Sequence, residues 1–129
     1  MRPSRIQAVD HIHLEAAPEA ADDLRWFYTE VAALEEVDGL DPVATGRLAF
    51  RSEKLEVRFR FVPRPLVEPN RRRMTVAVPS LAAAAALLAE RGLGHARERG
   101  LLYTEERLHV LDPAGHRVEL KQDWGLAGL

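Results

Sequence analysis

Three kinds of side chain in this 129-residue chain have the type and spacing to do chemistry. The first is a pair of imidazoles, His11 and His13, in "VDHIHLEA" (9–16). Residues two apart in an extended chain point the same way, so both share a face with Glu15, and Ile12, Leu14 and Ala16 share the other. The second is a carboxylate, Glu119, in "HRVELKQ" (116–122), where alternation sets Arg117, Glu119 and Lys121 against Val118 and Leu120. The third is guanidinium: Arg58 in "LEVRFRFV" (55–62) and Arg73 in "RRRMTVAV" (71–78). A carboxylate beside an imidazole can move a proton or share a divalent ion. A guanidinium has no lone pair to give a metal, but its fork captures carboxylate or phosphate.

Composition narrows the options. There is no cysteine, which excludes disulfides, thiolate nucleophiles and cysteine-based metal sites, so any metal must be held by His and carboxylates. A net charge of −2 with 29% charged residues lacks the basic excess of a nucleic-acid binder. No stretch approaches the roughly 20 apolar residues of a membrane span, and "MRPSRIQAVDHIH" has no apolar signal core. The expectation is a cytoplasmic protein with no nucleic-acid or membrane partner, folded as one domain over 1–129.

The elements that must position these groups occur twice. After the strand 9–16, "DDLRWFYTEVAAL" (22–34) places Leu24, Phe27, Val31 and Leu34 at helical spacing, with aspartates at the favourable end. A loop with Gly39, Pro42 and Gly46 leads to two alternating runs, "RLAFRS" (47–52) and 55–62. The order then recurs: strand 71–78, Ser80 as N-cap, helix "LAAAAALLAER" (81–91), Gly92 as stop, a short strand 93–98, and the hairpin "RLHVLDPAGHRVELKQ" (107–122). In its turn, Asp112 to Gly115, proline suits the second place and glycine the fourth. The spacing predicts an α+β fold of two tandem βαβββ modules, 5–62 and 71–122, with linker 63–70 and tail 123–129. Helices cover the outer face of a curved mixed sheet, and the uncovered faces form a cup. Superposing the halves sets Arg58 in the place of Glu119 and Arg73 in that of His11, so all four point into one cavity; His109, on the face of Leu111, lines it too. His95 and His116 fall in or beside turns and are expected in solvent.

On "VDHIHLEA", the "FY" of "LRWFYTEV" and "HVLDPAGHRVEL", the chain resembles the vicinal oxygen chelate superfamily, which includes glyoxalase I, fosfomycin and bleomycin resistance proteins and extradiol dioxygenases. The resemblance covers about residues 6–122. It implies a divalent ion, one of Zn, Ni, Mn or Fe, held by His11 and Glu119, which would also be the catalytic pair, with His13 as a third ligand at most. The family's remaining ligand positions hold Arg58 and Arg73, so only a weakly held metal, or none, is expected.

Two readings follow. One is a metal-independent module that captures an anionic or carboxylate-bearing small molecule through Arg58 and Arg73, with His13 and His109 nearby. The other is a metal-dependent lyase, isomerase or dioxygenase of the glyoxalase type, using His11 and Glu119. An interaction module without pocket chemistry is a third, with Trp26 and Trp124 as contact residues. Modules of about 60 residues bury little alone, and relatives pair, so a homodimer is expected.

Overall fold

The computed structural model describes residues 10–68, 74–101 and 106–123. Arg73 and Trp124 lie outside the described residues, as do parts of the linker and of the 98–106 loop.

Alternation drives the first sheet. Strand β1 (Asp10–Ala16) runs parallel to β4 (Leu55–Phe61), with His13 opposite Arg58 and Glu15 opposite Arg60. Strand β4 is antiparallel to β3 (Arg47–Arg51), which pairs with the two-residue β2 (Glu35–Glu36), giving the order β1-β4-β3-β2. The second sheet repeats this plan. Strand β5 (Met74–Val78) is parallel to β8 (Arg117–Gln122), β8 antiparallel to β7 (Arg107–Leu111), and β7 to β6 (His95–Glu98). The expected duplication therefore extends to strand order and direction.

Each sheet buries its apolar face under helix. In module one a short 3-10 turn, Pro18–Ala20, leads into α1 (Ala21–Trp26). The run expected as a single helix then widens into a π-helical turn, Phe27–Val31, where the Ala32 amide reaches back five residues to the Phe27 carbonyl at 2.9 Å. The consecutive rings Phe27 and Tyr28 are both fully buried there, and Tyr28 stacks on Phe50 at 5.1 Å and leans on Phe59 at 5.3 Å. The segment closes with the Leu34 amide on the Tyr28 carbonyl, around Ala33 at φ 57°. That is a Schellman ending with alanine where glycine is usual. A short α2 (Pro42–Thr45), capped by Asp41, precedes β3. In module two, α3 (Leu81–Glu90) starts at Ser80, whose hydroxyl accepts from the Ala83 amide, and buries Leu81, Ala84 and Leu88. Of the alanines 82–86, expected to pack closely on the sheet, only Ala84 is buried and Ala85 half-buried; Ala82, Ala83 and Ala86 are exposed.

Polar ties join the modules. The Tyr28 hydroxyl donates to Asp112 Oδ2, and Asp112 Oδ1 accepts from the amides of Ala114 at 2.8 Å and His116 at 2.9 Å. Burial drives the Asp112 carboxyl upward against these bonds, and pushes the Tyr28 phenol well up too. Gly115 holds φ 93° in the same turn, and a Cβ there would sit 3.3 Å from Val67. His116 corrects the solvent expectation: it is buried, packs against Phe59, and places Nε2 2.7 Å from the Glu15 carbonyl. A carbonyl only accepts, so the proton is on Nε2. Trp26 is half-buried beneath Arg91, whose guanidinium lies 4.2 Å from the ring.

Candidate functional site

Both sheets turn a polar face away from their helices. On the first, register puts His11, His13, Glu15, Glu56, Arg58, Arg60, Arg47, Ala49 and Arg51 on one side. Arg47 lies directly opposite Arg60, and like charges so placed repel. Glu15 answers one of them: its Oε2 is 2.7 Å from Arg60 Nη2 and its Oε1 accepts from the Leu66 amide at 2.9 Å. The Leu66 amide first, and Arg60 second, hold the Glu15 carboxyl below the usual carboxylate range. Arg58 Nε meets Glu56 Oε2 at 2.5 Å, and His11 Nδ1 stands 3.4 Å from the same oxygen. Arg58 is the main cause that lowers the Glu56 carboxyl; His11 adds a smaller pull. Arg47 has no ion-pair partner among the described residues. With Arg58, Arg60, His13 and Leu40 it lines a hollow of about 370 Å³.

The second polar face carries Arg107, His109, Glu119 and Lys121. Glu119 is buried, with Arg107 Nε 3.2 Å from Oε1. His109 stands directly opposite it, turns Nε2 to Glu98 at 3.0 Å, and leaves Nδ1 buried without a hydrogen-bond partner. A further cavity of about 470 Å³ lies between the modules, against Leu14, Glu15, Leu66, Met74, His116 and Arg117.

Of the residues expected at the site, His13 and Arg58 line the hollow, and His11 borders the counter-ion of Arg58. His109 and Glu119 are neighbours on the other sheet. Neither cavity described here is lined by both Arg58 and Glu119. Arg47 and Arg60 were missed, although alternation in "RLAFR" and "VRFRF" places them on the face of Arg58.

A divalent ion, as the resemblance implies, needs three or more lone-pair ligands to be held tightly. The third-ligand position carries Arg58, and among the described residues no three His, Asp or Glu side chains gather to hold a metal. His11 and Glu119 each face a charged partner, Glu56 and Arg107. This donor set does not fit a tightly bound ion.

Two βαβββ units in tandem, with strand orders β1-β4-β3-β2 and β5-β8-β7-β6 and helix on one face of each, make the vicinal oxygen chelate fold, and this chain has it. A glyoxalase family protein from Bacillus anthracis superposes with a TM-score of 0.70 at 22% identity, over 95% of this chain and 99% of that one. The fosfomycin resistance protein FosX of Listeria monocytogenes gives 0.68 at 15%, covering 92% and 94%. TnmS3, an antibiotic binding protein from Streptomyces sp. CB03234, gives 0.63 at 17%, covering 93% and 98%. Identities this low establish the fold alone. No family model matches the sequence, and no curated protein matches it. Among the described residues no helix is long and apolar enough to cross a membrane.

Proposed function

We propose that this protein is a binding module that holds a small anionic or carboxylate-bearing molecule against the polar face of module one, without a metal. One observation carries the reading: three guanidiniums, Arg47, Arg58 and Arg60, surround one hollow, and two carboxylates, Glu15 and Glu56, answer them. One positive charge is left for a ligand. Arg58 and Arg60 are held in place by their glutamates, so the wall beside Arg47 is fixed before an anion arrives. The solved structures of this fold include one named for fosfomycin resistance and one for antibiotic binding, which supports a small molecule as ligand.

On the polar face of module one Arg47, Arg58 and Arg60 are exposed, and two apolar side chains stand in solvent, Val43 at 95% and Leu111 at 50%. These features support a homodimer in which a sheet of the partner covers each face and completes a cup. Light scattering on the eluting protein should then give twice 14.5 kDa; a monomer mass would remove the shared cup.

The binding reading is tested by a thermal-shift panel of carboxylates and phosphates, since a ligand that binds only the folded state raises the midpoint with concentration. Stabilisation of the wild type by anions, and its loss in Arg58→Ala, is the expected pair of results. Equal stabilisation in the variant, or none in either protein, overturns the proposal.

A further inference from the structure

The cavity between the modules has no part in the reading above, yet its walls have the composition of a site. It holds about 470 Å³, within the roughly 300–1,000 Å³ of small-ligand pockets. One wall is the helix-facing side of β1. Its Ile12 and Leu14 lie in register with Val57 and Phe59 of β4, which are closed from solvent, but they themselves stay half-buried where the inter-module space opens beside them. Leu66 of the linker faces the same space and is 65% exposed. It is not loose: its amide donates to Glu15 Oε1 at 2.9 Å, while the Glu15 carbonyl accepts from His116 Nε2 at 2.7 Å. Glu15 thus pins the linker wall and the module-two wall together, and a cavity fixed before binding costs its ligand little ordering.

Charge supplies the rest. Arg117, at the start of β8, is half-buried against the cavity, and no hydrogen bond or ion pair to a described residue engages its guanidinium. The carboxylates on the same rim are taken: Glu15 by Arg60 and the Leu66 amide, Glu68 by a contact of its own. A partly desolvated guanidinium without a counter-ion suits a carboxylate, and the open surfaces of Ile12, Leu14 and Leu66 gain from any apolar group that displaces water from them. We infer that the inter-module cavity is a second binding site, for a carboxylate with an apolar body, its head on Arg117 and its body against Ile12, Leu14 and Leu66. This site stands apart from the arginine hollow and does not rest on the function proposed for it.

Isothermal titration with octanoate, octanol and acetate, each at low and high inorganic phosphate and constant ionic strength, tests the assignment. The wild type should bind one octanoate per chain, at least tenfold tighter than octanol or acetate and equally well at both phosphate levels. Arg117→Gln should weaken octanoate at least tenfold with little change in octanol, and Leu66→Asp, an exposed change that keeps the linker amide, should weaken both. If Arg117→Gln does not fold, the Leu66→Asp titration decides. Octanoate no tighter than octanol removes the role of Arg117, and octanoate no tighter than acetate removes the apolar wall. Either result, or an affinity that neither variant moves, overturns the proposal. Octanoate displaced by phosphate belongs in the arginine hollow, which overturns the second site and leaves anion capture standing. Absence of octanoate binding overturns it too, and a dimer split by Leu66→Asp would then identify a second copy of the chain as what covers Ile12 and Leu14.

Discussion

The tie between Tyr28 and Asp112 offers a quantitative test of how the two modules are held as one unit. Asp112 is buried and accepts three hydrogen bonds, from the Tyr28 hydroxyl and the amides of Ala114 and His116. Replacing it by alanine strands the Tyr28 hydroxyl in a fully buried place and frees two turn amides. A buried donor without a partner costs about 1–3 kcal/mol, and each lost bond to a charged acceptor about 1.5–3. Relief of the buried carboxylate returns part of this, since burial disfavours its charge. The net expectation for Asp112→Ala is a loss of about 3 kcal/mol, a large part of the roughly 5–15 kcal/mol that holds a domain folded. Tyr28→Phe keeps the ring on Phe50 and removes only the hydroxyl, so about 1–2 kcal/mol is expected. The two changes remove the same bond, so in a double-mutant cycle by urea unfolding they should couple by about 1.5–3 kcal/mol. A coupling indistinguishable from zero, or a loss under about 0.5 kcal/mol for Asp112→Ala, would refute the idea that this bond joins the modules.

Other expectations concern pH and the backbone. The Asp112 carboxyl is raised in the fold, chiefly by burial, so the folded state binds a proton more readily than the unfolded chain, whose aspartate titrates near about 3.9. Relative to Asp112→Asn, the wild type should therefore gain stability as pH falls from neutral toward that value and lose it as pH rises through the folded value; urea midpoints at several pH values measure this, and a difference independent of pH contradicts it. Ala33 sits at φ 57° on an exposed helix ending, a conformation that costs alanine about 1–2 kcal/mol. After glycine's extra entropy, Ala33→Gly should raise stability by about 0.5–1 kcal/mol; a lower melting temperature would show that the Schellman geometry is not what limits this ending.

Much of this architecture was legible because it is written in short-range periodicity. The alternation of Leu55, Val57 and Phe59 against Glu56, Arg58 and Arg60 identifies both a strand and its buried side, and the recurrence of the pattern exposes the duplication. Ser80 and the "DPAG" turn were equally local: the Ser80 hydroxyl caps α3, and the Gly115 amide closes on the Asp112 carbonyl at 2.9 Å. The π turn at Phe27–Val31 was not legible, because apolar positions at helical spacing do not distinguish a four-residue from a five-residue hydrogen bond. His116 looked solvated for a related reason. Its partner, the Glu15 carbonyl, lies 101 residues away, and a polar turn says nothing about what will fold over it. The candidate site was half legible: Arg58 and His13 could be placed by alternation, whereas the commitment of Arg58 to Glu56 and of Arg60 to Glu15 depends on strand register.

The central claim is that an anion docks on the arginine face of module one. Backbone amide chemical shifts recorded during titration with acetate test it residue by residue. The account predicts saturable shifts at residues 47–49 and 58–60, with the second sheet responding only where a partner chain covers the hollow. Shifts confined to the neighbourhood of Glu119, or to the cavity beside His116 and Met74, would place the ligand elsewhere and contradict it.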